Sequence, residues 1–240
     1  MTPAMKWPLK IVIISLLFSG IFTGCKKDHD EKPECRIITC TADIGTWHFT
    51  YNTDGTMSSV LEMPANQISN YTYSGNIATI VTTKAGTFIK KKIITSNSDG
   101  FTVNVHTESN ISGSNWTNES HQYNGTQLTK TVMTTSAGTG TVIAEYGWEN
   151  GNMSQSTING NTNHYTYFTD KEYQPGEYRH LSELINGEHK YNIRNLTRTS
   201  EAGGETSTIS YVFDEQGKII SFTALSASAP LNIQYQYECQ

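Results

Sequence analysis

From residue 35 onward, apolar and polar residues alternate along most of the chain. Every second residue of Trp47–Tyr51 is aromatic and the residues between them are polar, and Leu231–Cys239 shows the same kind of pattern near the C-terminus. Successive side chains of a β-strand point to opposite faces, so this period of two predicts strands that bury one face. Further stretches with this alternation lie at residues 101–106, 142–148 and 209–213.

Short motifs rich in Asn, Asp and Gly recur between the alternating stretches and predict tight turns. Such residues accept the positive φ that the centre of a hairpin turn often requires. The spacing of their glycines, in steps of 20, 25, 25 and 26 residues, is about the length of two strands and two turns. The pattern therefore predicts an antiparallel meander of about a dozen strands. The glycines concerned are Gly55, Gly75, Gly100, Gly125 and Gly151.

An antiparallel sheet with this many strands cannot stay open and flat. The predicted fold class is all-β: a meander that forms a strongly curved sheet or a closed barrel, with its apolar side inward. A transmembrane barrel shows the same alternation turned inside out, so periodicity alone leaves it as an alternative. The cluster Lys90–Lys92 would place charge on both faces of one strand, which argues against that alternative. We expect these lysines to be solvated or to protect a sheet edge.

Two segments depart from the strand pattern. Tyr178, Leu181 and Ile185 fall at helical spacing between Pro175 and Gly187, which predicts one short helix near residues 175–185. A lone helix between two strands is expected to plug one end of the barrel or to cover an open edge, and a mobile lid over a cavity is the alternative. The polar stretch from Ser109 to Ser120 predicts a long loop that contains Trp116.

The N-terminus carries the features of a secretion signal. Lysines precede an apolar run from Ile11 to Phe22, which is short for a membrane span, and Thr23–Gly24–Cys25 follows it. Small residues before a cysteine resemble a bacterial lipobox, in which Cys25 becomes the lipidated first residue. An uncleaved anchor helix is the alternative. We therefore predict a signal peptide at 1–24, a charged tether at 25–34 and a single barrel-like domain at 35–240.

Charge excludes one class of partner. Removal of the predicted signal peptide leaves 15 basic and 22 acidic residues, a formal charge of −7. Such an acidic domain is poorly suited to binding phosphate backbones, so no nucleic-acid partner is expected.

Several of these features together resemble a family of Bacteroidota lipoproteins of unknown function with a porin-like fold. They are the lipobox with its charged tether, the early Cys35, the repeated aromatic–Asn/Asp–x–Gly hairpins, the helical interruption before Asn195–Thr197, and the terminal Tyr–x–Tyr–x–Cys. The resemblance covers residues 25–240 and implies an antiparallel β-barrel. The charged tether resembles an export signal and implies an outer-membrane protein at the cell surface, with a periplasm-facing location as the alternative. The hairpins also resemble tyrosine–aspartate wall repeats.

Three cysteines are available for a disulfide once Cys25 is acylated. Cys35 and Cys40 are too far apart on one continuous strand to be bridged. If the first and last strands are antiparallel neighbours, Cys35 lies closer than Cys40 to Cys239, which favours the pair Cys35 and Cys239. Buried free thiols are the alternative.

Motifs for catalysis, cofactors and metals are missing from the chain. Zinc spacings, phosphate-binding glycine loops and the Gly–x–Ser–x–Gly motif are all absent from the sequence, so we predict neither a cofactor nor a metal. Glycosidase chemistry would need two facing carboxylates, for which Glu145, Glu149 and Glu238 are conceivable partners. Trp116 is the one candidate ligand-binding residue, because an aromatic ring in a polar loop could stack on a sugar or contact a partner.

These observations predict a lipid-anchored cell-envelope protein that is not an enzyme. The leading hypothesis is a binding or interaction module for a glycan, a peptide or a protein partner, attached to the membrane through its N-terminal lipid. One alternative is a lipocalin-like carrier that encloses a small apolar ligand in a dry cavity. A second alternative is a carboxylate-dependent hydrolase, which requires two acids in one cleft.

Overall fold

A single antiparallel sheet dominates the computed structural model, which describes residues 35–138 and 140–239. The predicted signal peptide, the tether and Cys25 lie outside the described residues. The elements in chain order are β1 (Cys35–Ala42), β2 (Gly45–Tyr51), β3 (Met57–Met63), β4 (Gln67–Ser74), β5 (Ile77–Lys84), β6 (Thr87–Ser96), β7 (Thr102–Glu108), β8 (Trp116–Asn124), β9 (Gln127–Thr135), β10 (Val142–Glu149), β11 (Asn152–Ile158), β12 (Asn161–Glu172), α1 (His180–Asn186), β13 (Asn195–Ala202), β14 (Glu205–Phe213), β15 (Ile219–Leu225) and β16 (Pro230–Cys239).

The strands close into a barrel in sequence order. Each strand pairs with its neighbours in the chain, and β1 pairs with β16 from Cys35 opposite Cys239 to Ala42 opposite Ile233. The predicted all-β antiparallel meander is therefore confirmed. The barrel has sixteen strands rather than about a dozen. The recurring glycines from Gly55 to Gly151 all lie in turns at one end of the barrel, whereas the turn Pro64–Asn66 at the other end contains no glycine.

Apolar side chains point into the barrel, as the alternation predicts. Trp47 and Phe49 of β2 are buried, whereas His48 and Thr50 between them are exposed. The outward positions are mostly Thr, Ser, Asn, Gln and charged residues, with an aliphatic minority that includes Leu61 opposite Ile68. The inward residues form one core cluster, whose fully or nearly fully buried members include Ile37, Cys40, Val60, Ile94, Val105, Leu196, Ile209, Ile219, Phe222 and Ile233.

A disulfide joins the first strand to the last. The Cys35 and Cys239 sulfur atoms lie 2.03 Å apart, and the two residues face each other in the β1–β16 ladder. Cys40 is a buried free cysteine whose side chain belongs to the core cluster. The bridge closes a loop across a sequence separation of 204 residues, so it connects the first and last strands at the seam of the barrel.

The connection between β12 and β13, residues 173–194, enters the barrel and is called the plug here. Its helix α1 begins at His180, later than the predicted residue 175, because the first part of the segment forms turns instead. Leu181, Leu184 and Ile185 pack against the core cluster from inside the barrel. The plug therefore takes the first of the positions predicted for this helix. None of the helical structure in the described ranges is long and apolar enough to cross a membrane.

Two glycines allow the plug to contact the barrel wall closely. Gly187 ends α1 in the left-handed conformation with φ of 69°. A Cβ atom there would lie 2.7 Å from Ile80 Cδ1 and 2.8 Å from Tyr71 Cε1. Gly176, at the start of the plug, would similarly meet the Tyr237 hydroxyl at 2.9 Å. Only glycine combines a positive φ with such close approach, so both ends of the plug pack directly on the strands.

Two sequence-based predictions about polar segments are wrong. The stretch Ser109–Ser120 is not one loop, because β8 begins at Trp116 and pairs with both β7 and β9. The lysines of β6 are not all solvated either. Lys91 points outward, but Lys92 is only 7% exposed, and it points into the barrel together with Lys90. A carboxylate of the plug compensates the inward charge, and the sequence of β6 contains no sign of that partner.

Candidate functional site

A sizeable cavity lies inside the barrel, between the plug and one side of the wall, and is called the cup here. Its volume is about 560 Å³, within the roughly 300–1,000 Å³ range of small-molecule sites. Strands β2, β11, β12, β13, β15 and β16 form its wall, and the plug forms its floor. The lining combines aromatic and aliphatic side chains with a few charged ones: Ile44, Trp47, Met153, Tyr165, Tyr178, Arg179, Leu181, Ser182, Glu183, Ile185, Asn186, Glu188, Lys190, Tyr191, Ser200, Phe222 and Leu231.

The cup opens at the end of the barrel opposite to the one where the plug enters. Ile44, in the turn between β1 and β2, lines the cup and is 76% exposed. Leu231 lies next to the β15–β16 turn at the same end. The plug joins β12 to β13 from the other end, where Cys35 and Cys239 also lie. The plug thus closes the barrel at one end and contributes the charged residues of the cup. The other end stays open beside apolar residues such as Ile44 and Leu231.

On one side of the floor, four charged residues form a continuous network, called the ion cluster here. Glu188 Oε1 lies 2.6 Å from the Lys92 ammonium, and its Oε2 contacts the Lys190 ammonium. Lys190 also contacts Glu119 of β8 at 3.3 Å. Lys92 donates a further hydrogen bond to the carbonyl of Asn186. Every charge in the ion cluster therefore has a partner of opposite sign, and the network connects the plug to β6 and β8.

The pKa directions in the ion cluster follow from this pairing. Burial alone would raise the pKa of Glu188, but the ammonium groups of Lys92 and Lys190 outweigh burial and hold that pKa below its ordinary value. Burial alone would lower the pKa of Lys190, and Glu188 and Glu119 outweigh it and raise that pKa. His121 lies beside the cluster, and burial followed by the Lys190 charge lowers its pKa to about 4. The histidine is therefore neutral at physiological pH.

On the other side of the floor, Arg179 has a very different environment. Its guanidinium carbon lies 4.0 Å from the ring centroid of Tyr165 and 5.6 Å from that of Tyr191. Its two terminal nitrogens are buried and find no hydrogen-bond acceptor among the described residues. No described carboxylate forms an ion pair with it, although it lines the cup. The guanidinium of Arg179 therefore lies near two aromatic rings, and its terminal nitrogens are shielded from water without an acceptor.

The nearest acid in sequence, Glu177, is occupied elsewhere. Its Oε2 accepts a hydrogen bond from the backbone N–H of Arg179 at 2.7 Å, and its Oε1 accepts one from the N–H of Thr197 at 3.2 Å. Burial raises the pKa of Glu177, and these hydrogen bonds and the nearby charge of Arg179 partly offset that effect. This carboxyl fixes the start of the plug to β13 through backbone contacts, and it does not bind the guanidinium directly.

The residues singled out from sequence do not converge on the cup. Trp116 lies on the outer wall, where its ring centroid is 5.8 Å from that of His106. Glu145 and Glu238 also point outward, on β10 and β16, and Glu238 pairs with Arg36 at 3.0 Å. Glu149 is exposed at the end of β10. The three carboxylates thus do not face one another across a cleft. Residues 35–138 and 140–239 contain no group of three or more His, Cys, Asp or Glu side chains that could hold a metal.

Two acids do line the cup, Glu183 and Glu188, and neither is among the carboxylates that the sequence suggested for catalysis. Glu183 Oε1 accepts hydrogen bonds from the backbone N–H groups of Lys190 and Tyr191, both at 3.3 Å. Glu188 is held ionised by two lysines. A general acid of a glycosidase needs a raised pKa. Glu188 has the opposite shift, so it does not fit the general-acid role in such a pair.

The fold and the cup define a class: a closed antiparallel barrel plugged by one of its own connections. Two solved structures from Bacteroides are similar to this chain. A porin-like protein from Bacteroides uniformis ATCC 8492 matches with a TM-score of 0.63 and 14% identity, over 84% of this chain and 98% of that one. A porin-like protein from Bacteroides vulgatus ATCC 8482 matches with a TM-score of 0.60 and 13% identity, over 85% and 99%. No protein-family model and no curated protein matches the chain. At such identities, the similarity concerns the fold.

Proposed function

We propose that this chain is a lipid-anchored binding protein of the cell envelope that takes a small molecule into the cup. The observation that carries the proposal is the cup itself, about 560 Å³ of space above a floor made by the plug. A connection that served only to fill the barrel would leave no such space, because protein interiors are otherwise close-packed. An open rim and a closed floor suit reversible binding of one ligand.

The lining indicates the kind of binding. Aromatic and aliphatic side chains such as Trp47, Phe222 and Leu231 supply apolar contact area. A small number of polar groups, including Ser200 and Asn186, supply orientation. This composition differs from the dry apolar cavity of the carrier hypothesis, since the floor carries charges. The function therefore combines the two binding hypotheses: an envelope receptor or carrier whose ligand is amphipathic.

The envelope location is supported by the N-terminal sequence and by the kind of protein that shares the fold. Small residues before Cys25 resemble a lipobox, and the proteins of similar structure are described as porin-like. Radiolabelled palmitate should be incorporated into the wild type and not into Cys25→Ala. Equal labelling of both would remove the lipid anchor from the proposal and leave the binding function standing.

A neutral fluorescent probe tests the binding function. N-phenyl-1-naphthylamine should bind the purified protein with an increase in fluorescence, because the probe gains an apolar environment. Ser200→Phe should weaken this binding by about tenfold or more, since the new ring occupies the wall of the cup. The matched control is Ser210→Phe, which places the same ring on the outer face of β14. Equal binding by the two variants, or no binding to the wild type, would contradict the proposed function.

A further inference from the structure

The inference concerns the ligand class of the cup, and it rests on the proposed function. Among the charged residues of the cup, Glu188 and Lys190 belong to the ion cluster, and Glu183 accepts backbone hydrogen bonds beside the His189 ring at 3.6 Å. Arg179 is the exception, since nothing among the described residues accepts a hydrogen bond from its terminal nitrogens. The lining of the cup thus contains one cation whose terminal nitrogens have no hydrogen-bond acceptor.

Burying such a cation is unfavourable unless a hydrogen-bond acceptor pairs with its donors. Burying a donor without an acceptor is unfavourable, and more so for a charged group. The rings of Tyr165 and Tyr191 offset part of this through cation–π contact, but they accept no hydrogen bond in the plane of the guanidinium. A planar guanidinium matches a carboxylate in a two-point hydrogen-bonded pair. The missing partner is therefore an anion with oxygen acceptors.

The rest of the cup indicates what the anion is attached to. Tyr178 packs on Phe222 with ring centroids 5.7 Å apart, and both line the cup with Trp47 and Leu231. These side chains continue to the exposed Ile44 at the rim. A ligand that places an anionic group near Arg179 therefore directs its remaining atoms along apolar surface toward the opening.

We propose that the cup binds amphipathic carboxylates, with the carboxylate paired to Arg179 and the aliphatic or aromatic body against Trp47, Phe222 and Leu231. Both terminal nitrogens of Arg179 are almost inaccessible to solvent in this structure, so binding includes a small rotation of the side chain toward the ligand. Arg179 is thus the residue that determines charge specificity, and the apolar lining determines affinity.

A series of ligands with the same chain and different head groups tests this. Decanoate, decan-1-ol and decyltrimethylammonium are each used to displace bound N-phenyl-1-naphthylamine, at concentrations below micelle formation. The wild type should bind decanoate about tenfold or more tightly than decan-1-ol, the scale of a charged hydrogen-bonded pair. It should bind decyltrimethylammonium least. Arg179→Met should abolish the preference for decanoate, and Arg179→Lys should retain part of it. The control Arg198→Met removes an exposed arginine of β13 and should retain all of it.

The outcomes separate the two proposals. Equal binding of decanoate and decan-1-ol by the wild type, or a preference that survives Arg179→Met, overturns the carboxylate proposal while probe binding still supports the cup. A preference for decyltrimethylammonium also overturns it and indicates that Glu183, rather than Arg179, selects the head group. Failure of the probe to bind, or its insensitivity to Ser200→Phe, removes the proposed function and this inference together.

Discussion

Buried charges on the two sides of the cup floor have different partners: carboxylates and ammonium groups on one side, aromatic rings on the other. In the ion cluster, the carboxylate of Glu188 contacts two ammonium groups, and one of these reaches a second carboxylate, Glu119. Across the floor, Arg179 contacts two aromatic rings and no acceptor. Arg179 and Glu188 both belong to the plug, and they are nine residues apart in sequence.

This difference distinguishes charges that stabilise the fold from a charge that is available to a ligand. A buried ion pair that loses one member leaves an uncompensated charge, so such networks hold their elements in one arrangement. The ion cluster connects the plug to β6 and β8 and keeps the floor in place. A desolvated cation without a partner contributes nothing comparable to stability. Its location beside a cavity indicates that the partner comes from outside.

The largest expected effect comes from breaking the ion cluster at its centre. Glu188→Gln leaves Lys92 buried without a carboxylate, and it should lower the free energy of unfolding by about 3–5 kcal/mol. Chemical denaturation measures this. The double variant Glu188→Gln/Lys92→Met removes both charges and should regain a large part of the loss. The matched control is Glu108→Gln, which breaks the partly exposed pair with the adjacent Lys91 on the outer face and should cost at most about 1 kcal/mol. Similar losses in the two single variants would contradict the distinction between inward and outward lysines.

The contrast between Lys91 and Lys92 also marks the limit of what the sequence predicts. Period-two alternation and turn motifs are local properties, and they correctly predict the strands, their hairpins and the inward apolar face. Alternation even implies that Lys90 and Lys92 share a face. Whether that face meets water or a carboxylate depends on Glu188, which lies 96 residues further along the chain from Lys92. No local pattern carries this information.

The cup could not be predicted for the same reason. Its wall comes from six strands and its floor from the plug, so it exists only once the barrel has closed around its own connection. Spacing at Tyr178, Leu181 and Ile185 predicts a helix, but it does not show that the apolar face packs inside the barrel. Arg179 directly precedes that helix and looks like an ordinary solvated residue. Arg179 is unusual because its guanidinium lies near Tyr165 of β12 and Tyr191 of the plug.

A smaller effect is expected from pH. The lysines hold the pKa of Glu188 below its ordinary value of 4.5, so this group contributes stability above about pH 4.5 and loses it as pH falls toward the native pKa. The difference in unfolding free energy between the wild type and Glu188→Gln should therefore be constant near neutral pH and shrink below pH 4.5. Urea denaturation at a series of pH values measures it. A difference that persists unchanged to pH 3 would mean that the contribution of Glu188 does not depend on its charge.

The smallest expected effect on the free energy of unfolding is that of Arg179→Met. The prediction is that this variant changes stability very little. Arg179→Met removes a buried cation that lacks an acceptor, which favours the folded state, and it removes two ring contacts, worth about 0.5–2 kcal/mol together, which disfavours it. The two effects oppose each other, so the unfolding free energy should stay within about 1 kcal/mol of the wild type in chemical denaturation. A loss comparable to that of Glu188→Gln would show that the guanidinium holds the plug in place, and the two sides of the floor would then share one structural role. A near-zero change combined with a lost preference for decanoate would mean that this arginine is retained for the ligand, since it contributes little to the fold.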